Sequence, residues 1–185
     1  MRPCVSRLFR AFAVVSLAAG TWLLAGCDGR QTTGPATSSP PATVRGPDHR
    51  FPLVIGGQTV QLRLAVSDPE RAQGLMYITQ MPEDEGMLFV FPKPQVMSFY
   101  MRSTRLPLDI GFIDTSGVLR EVRPMYPGIE DSVISSAPDL QLALEMNQGW
   151  FARHDIKPGA TIDLAAVKAA LHERGFNPAK IFRAR

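Results

Sequence analysis

Cysteine is scarce in this sequence. The 185 residues include two, Cys4 and Cys27, and both precede the part of the chain that carries strand patterns. The chain after Cys27 therefore has no thiol, which excludes a disulfide and a thiolate zinc site from it. Its stability must come from a hydrophobic core, and a content of 45% hydrophobic residues is enough to build one.

Familiar catalytic motifs are absent as well. The chain contains three histidines, of which His154 alone lies in the expected folded region, and no two have metal-ligand spacing. Neither a G-x-S-x-G turn nor a glycine-rich phosphate loop occurs. We therefore expect no metal and no cofactor. The methionines leave a Cu(I) site open as an alternative, although their positions in apolar strands favour packing.

The first 27 residues lack acidic side chains and end in a long uncharged run. Arg2, Arg7 and Arg10 precede that run, and this layout predicts a signal peptide over residues 1–27. The sequence Leu-Ala-Gly-Cys at its end resembles the bacterial lipobox, in which the cysteine is lipidated. Lipidation of Cys27 would tether the exported chain to the periplasmic side of a bacterial membrane, inner or outer. A retained transmembrane anchor is the alternative.

The chain after residue 27 has no net charge. Three of the 20 Lys and Arg residues lie in the predicted signal peptide, which leaves 17 against 17 Asp and Glu. A neutral chain without a basic stripe predicts no nucleic-acid partner.

Residues 28–50 are rich in Gly, Pro, Ser and Thr and have almost no large apolar side chain. We predict that they form a flexible linker.

Residues 51–162 carry the patterns of short strands and turns. Strict alternation of apolar and polar residues, as over 140–146, is typical of a strand with one core-facing side. We predict a mainly β (α+β) fold, in which a small antiparallel sheet curls into a barrel or half-barrel with short helices. The predicted strands are 51–55, 58–66, 87–91, 96–102, 108–113, 118–123, 140–146 and 160–162, and the predicted short helices are 67–76 and 150–154.

The C-terminal residues 163–185 are predicted to form a helix and a basic tail. Asp163 can cap the helix, apolar residues follow at helical spacing, and Gly175 is a stop signal. The tail could contact anionic lipid or a partner protein, or it could be a flexible terminus.

Five segments of the predicted domain follow one another in a characteristic order. They are RAQGLM at 71–76, GMLF at 86–89, FYM at 99–101, PLDIGFID at 107–114 and ALEM at 143–146. In order and spacing these segments resemble the bacterial and archaeal family called domain of unknown function 192. The resemblance covers about residues 58–162, and Tyr100, Ser103 and Ile78 depart from the family pattern. It implies a compact mainly β domain, often exported, without an agreed biochemical activity.

Asp109 and Glu145 are the first candidates for chemistry. Strand alternation places Asp109 and Gly111 on one face, and the glycine predicts open space beside the carboxylate. Glu145 shares its own face with small and polar neighbours. The two carboxylates are therefore predicted to line one concavity, where they could act as acid and base or hold a cation. An ion pair with Arg71 or Arg102, or plain exposure to solvent, is the alternative.

Two functional hypotheses follow. The first is a non-enzymatic module of a monomeric envelope lipoprotein, which binds a small ligand or another envelope protein. The ligand-binding residues of this module would be Asp109, Arg102, Glu145, Arg71 and Tyr100. The second is an acid/base hydrolase or lyase acting on an envelope glycan or peptide, with Asp109 and Glu145 as its catalytic residues.

Overall fold

The structure is a computed structural model that describes residues 44–129 and 131–182. The predicted signal peptide, the lipidation site Cys27 and residues 28–43 of the predicted linker lie outside the described residues. Within the described ranges, no helix is long and apolar enough to cross a membrane.

Eight strands and four short helices make up the described chain. The strands are β1 (Phe51–Ile55), β2 (Gln58–Ala65), β3 (Glu85–Gln95), β4 (Ser98–Phe99), β5 (Leu108–Asp114), β6 (Leu119–Met125), β7 (Val133–Ile134) and β8 (Leu140–Asn147). The helices are α1 (Asp68–Gln73), α2 (Trp150–Arg153), α3 (Leu164–Glu173) and α4 (Pro178–Ile181). The prediction of a mainly β fold with short helices and a C-terminal helix is confirmed.

Six of the strands form one sheet in the order β1-β2-β3-β8-β5-β6, and β4 pairs with β7 in a second small sheet. Two predicted hairpins, β1–β2 and β5–β6, are present with antiparallel register. The first turns at Gly56 and Gly57, which both have positive φ angles and so suit a two-residue hairpin loop. β1 and β6 remain as the two edges, so the sheet does not close into a barrel.

The sheet is mixed rather than wholly antiparallel, because β2 and β3 pair in parallel. A parallel pair needs a crossover connection, and the chain supplies one through α1 and the loop that follows it. Strand patterns alone do not distinguish this crossover from a hairpin. The crossover also places α1 and its loop over one face of the sheet, where they form one wall of a cavity.

Hydrophobic cores lie on both faces of the large sheet. On one face, here called the α3 face, strand residues pack against Trp150, Phe151 and the buried side of α3. On the other, the α1 face, the core is built around Phe89, Phe99 and Phe112 with Leu75 from the loop after α1. Covering on both sides explains why every residue of β5 is buried. Polar side chains in the central strands are therefore buried whichever face they occupy.

Several strands differ from the predictions. β7 has no predicted counterpart, and in the predicted strand 160–162 only Thr161 and Ile162 form isolated bridges. The largest differences in boundaries concern β3 and β4. β3 continues through Pro92 and Pro94 to Gln95 instead of ending at Phe91, and its pairing with β8 is irregular over this stretch. Such an irregularity tolerates prolines because the ladder does not require their missing N–H groups. The predicted strand 96–102 is reduced to the two residues of β4, since only β7 pairs with it.

The C-terminal helix α3 packs on the sheet. Asp163 caps it by accepting hydrogen bonds from the backbone N–H groups of Ala165 and Ala166. Val167 and Leu171 are wholly buried in the α3-face core. The helix is thus part of the packed structure and not a loosely attached extension.

Candidate ligand-binding cavity

Glu145 lies near the middle of the sheet on β8, between β3 and β5. Its cross-strand neighbours are Met87 and Ile110, and both belong to the core of the α1 face. Directly opposed residues in an antiparallel pair point to the same side, so the Glu145 carboxyl group lies on the α1 face as well. The residue is 6% exposed, and its Oε2 atom has no hydrogen-bond partner among the described residues.

Burial without a compensating partner changes the protonation of this side chain. Desolvation raises the pKa of Glu145 to about 8 because the low-dielectric surroundings disfavour the charged form. The neutral form of the carboxyl group is then favoured at pH 7. In that form it can donate one hydrogen bond, which an ionised carboxylate cannot do.

Glu145 forms one wall of a cavity of about 230 Å³. The other walls are mostly aromatic and apolar, and they come from β3, from the segment 98–104 and from α1 with its following loop. The rings of Phe89 and Phe99 meet edge to face with their centroids 4.9 Å apart. The cavity lining includes Glu145, Phe89, Phe91, Phe99, Tyr100 and Thr104.

Local sequence signals position α1, which forms one wall of the cavity. Ser67 and Glu70 form a capping box at the start of the helix. The helix ends at Gly74, whose φ angle is +49° and whose absent Cβ would lie 3.2 Å from the Phe89 ring. Glycine is thus suited to this position both by its conformation and by the close approach of the cavity wall.

Arg71 links α1 to β3 and does not pair with Glu145. Its guanidinium donates to the carbonyl oxygens of Val66 and Val90 and to the Asp68 carboxylate, and it lies over the Phe91 ring. The possible ion pair between Glu145 and Arg71 or Arg102 is not formed in the described residues.

Asp109 occupies the opposite face of the sheet. Its cross-strand neighbour on β8 is Met146, which belongs to the core of the α3 face. Asp109 accepts a 2.8 Å hydrogen bond from the backbone N–H of Gly149, at the start of α2. Burial raises the pKa of Asp109, opposed by that hydrogen bond and by the charge of Arg153. The side chain therefore holds the turn before α2 and does not line the Glu145 cavity.

The predicted concavity shared by Asp109 and Glu145 is therefore wrong, and with it their joint role as acid and base. The space predicted beside Gly111 is filled too: a Cβ there would lie 2.8 Å from the ring of Phe151 and 2.9 Å from Leu119. The prediction failed because two residues on neighbouring strands share a face only in the right register, and the register is set by the pairing of the strands.

Comparison with known proteins identifies the family. Residues 52–164 match the model of DUF192, whose description is "Uncharacterized ACR". The chain belongs to the DUF192 family. No curated protein matches it significantly.

Two solved structures are similar to the DUF192 domain of this chain. One, from Sinorhizobium meliloti 1021 and named as a proposed transcription regulator, is 36% identical with a TM-score of 0.57. The match covers 62% of this chain and 91% of that one. The other, a protein of unknown function from Novosphingobium aromaticivorans DSM 12444, is 29% identical with a TM-score of 0.59, covering 68% and 98% respectively.

Three of the five predicted ligand-binding residues come together in the DUF192 domain. Glu145, Arg71 and Tyr100 all line the cavity, whereas Arg102 lines an adjoining cleft and Asp109 lies on the other face. Sequence reasoning missed the aromatic wall formed by Phe89, Phe91 and Phe99. An all-apolar strand is typical of ordinary core, and nothing in its spacing indicates that it borders a cavity.

Proposed function

We propose that this DUF192 protein is an exported envelope lipoprotein whose domain binds a small ligand in the cavity beside Glu145. The observation that carries the proposal is the buried carboxyl group of Glu145, a residue that lines an aromatic-walled cavity and whose Oε2 atom has no hydrogen-bond partner among the described residues. A buried polar atom without a partner costs about 1–3 kcal/mol, and ligand binding is one way in which such an atom obtains a partner.

The chemistry of the cavity favours a particular kind of ligand. A neutral Glu145 carboxyl group, with a pKa of about 8, is a donor for a carbonyl or another uncharged acceptor. The rings of Phe89, Phe91 and Phe99 suit an apolar or aromatic body. A volume of about 230 Å³ is below the range of drug-sized sites, about 300–1,000 Å³. The ligand, or the part of it that enters, is therefore small.

Benzamide, which combines a ring with a carbonyl acceptor, is a suitable probe. We expect calorimetric titration of the full chain below pH 8 to detect its binding. Glu145→Gln keeps a neutral donor and should retain the affinity within about threefold, whereas Glu145→Leu removes the donor and should weaken binding about tenfold. Asp109→Asn, on the opposite face, is the matched control and should leave the affinity unchanged. Equal affinity of benzamide for the wild type and for Glu145→Leu would refute the proposal.

The location is proposed from the sequence. The Leu-Ala-Gly-Cys motif at the end of an uncharged run supports lipidation of Cys27, and two or more acyl chains anchor a protein stably whereas one holds it only marginally. Incorporation of labelled palmitate into the wild type, and its loss in Cys27→Ser, is the expected result. Equal labelling of both chains would disprove lipidation at this residue.

A further inference from the structure

A second space adjoins the Glu145 cavity. It is a cleft of about 750 Å³, and Tyr100 and Thr104 line both the cavity and the cleft. Tyr100 is 47% exposed and stands at the boundary between them. A ligand that enters the cavity can therefore extend past Tyr100 into the cleft.

The cleft differs from the cavity in its net charge, because Asp68 and Arg71, which line the cavity, pair with each other. Arg102 and Arg105 line it, and its other described lining residues are uncharged. Both arginines are exposed. The Arg102 carbonyl accepts a hydrogen bond from Thr104, but neither guanidinium group forms a hydrogen bond or an ion pair with any residue that the structure describes. Two arginines at one cleft favour an anionic group, since a guanidinium binds carboxylate, sulfonate or phosphate through charge-assisted hydrogen bonds.

The turn that carries these arginines is held in place by backbone hydrogen bonds. The N–H of Thr104 donates to the carbonyl of Met101 at 3.0 Å, and the N–H of Tyr77 donates to the carbonyl of Ser103 at 2.9 Å. Ser103 has a φ angle of +55°, which the surrounding bonds must support. The backbone of the arginine turn is therefore fixed before a ligand arrives, which lowers the entropy cost of binding.

We propose that the ligand is an organic acid whose apolar or aromatic body occupies the cavity beside Glu145 and whose anionic group binds Arg102 and Arg105 in the cleft. This inference rests on the proposed function and adds the charge of the ligand to it. The cavity then binds the apolar or aromatic part of the ligand, and the cleft binds its anionic group.

Arylalkanoates and their amides test the inference, since the two compounds of each pair share a body and differ in charge. We would titrate the full chain, with buffer and detergent as the blank, using the series from phenylacetate to 4-phenylbutyrate and the matching amides. The acid of the best length should bind at least about tenfold more tightly than its amide. Arg102→Gln/Arg105→Gln should reduce the affinity for the acid to that for the amide, and leave the affinity for the amide unchanged.

A control separates local binding from general attraction. Lys157→Gln/Lys180→Gln removes the same charge from exposed residues that line neither space and should preserve the preference for the acid. If acid and amide bind the wild type equally, or if the lysine control loses the preference as the arginine variant does, the inference is overturned while the proposed function stands. If both compounds bind more weakly than about 1 mM throughout the series, the inference fails, and benzamide binding then decides the proposed function separately.

Discussion

Asp109 and Glu145 lie on neighbouring strands of the DUF192 domain, yet their carboxyl groups are on opposite faces of the sheet. Asp109 pairs across the strands with Met146, and Glu145 pairs with Ile110. Both side chains are buried, but their surroundings differ: Asp109 accepts a hydrogen bond from Gly149, whereas Glu145 has an unpartnered oxygen beside a cavity. The Asp109 carboxylate therefore holds the turn before α2, whereas Glu145 lines the cavity on the other face.

Glu145 should make the protein less stable as the pH rises. Its folded pKa of about 8 is above the ordinary value of 4.5, so between these values the unfolded chain releases a proton that the native protein keeps. The wild-type free energy of unfolding should therefore fall relative to that of Glu145→Gln, by about 1.4 kcal/mol per pH unit, and level off above pH 8. Urea unfolding of both proteins across this range measures the difference. Parallel stability curves for the two proteins would contradict the raised pKa.

Asp109→Ala should destabilise the protein by about 1–3 kcal/mol. The substitution removes the acceptor for the Gly149 N–H and leaves that group without this partner. Asp109→Asn keeps an oxygen at the same place and should cost less. Chemical denaturation gives both values. Because Asp109 lies on the other face from the cavity, the benzamide affinity of the folded Asn variant should equal that of the wild type, and a large loss would indicate a role in binding.

Gly111→Ala should cost about 1–3 kcal/mol, the usual range for overpacking a core. The new methyl group would lie 2.8 Å from the Phe151 ring and 2.9 Å from Leu119, which are both buried. Gly46→Ala is the control, since nothing lies within 4 Å of a Cβ at that position. Thermal and urea unfolding should show a lower free energy of unfolding for Gly111→Ala than for Gly46→Ala. Equal stability of both would mean that the α3-face core has free space at Gly111.

Arg174→Met should cost about 2–4 kcal/mol. The buried guanidinium of Arg174, just after α3, donates to the carbonyl of Leu64 and to the carboxylate of Glu70 in α1. Its loss leaves the Leu64 carbonyl without this donor and removes the ion pair that links Arg174 to α1.

Arg45→Met provides the comparison, because Arg45 pairs with Glu173 at 3.7 Å and both side chains are about half exposed. An exposed pair contributes about 0–1 kcal/mol. If the two substitutions were equally costly in urea unfolding, the buried bridge would have no special importance.

Much of the secondary structure follows from local sequence. The β1–β2 hairpin has alternating strands around Gly56 and Gly57, and α3 begins at its predicted cap, Asp163. These elements depend on backbone conformations and on side chains a few residues apart, which a single sequence displays directly. Glu145, Arg71 and Tyr100, three of the predicted ligand-binding residues, line one cavity, and their role in binding stays a prediction.

The sequence by itself therefore determined most of the strands, the main hairpins, the C-terminal helix and a short set of polar residues worth attention. Only the tertiary structure decided that β2 and β3 are parallel, that Asp109 and Glu145 face apart, and that Phe89 and Phe99 border a cavity. The physical reason is that register, facing and burial depend on contacts between residues far apart in the chain. Alternation within one strand shows which of its residues share a face. It does not show which side of the sheet that face is on or which residues pack against it.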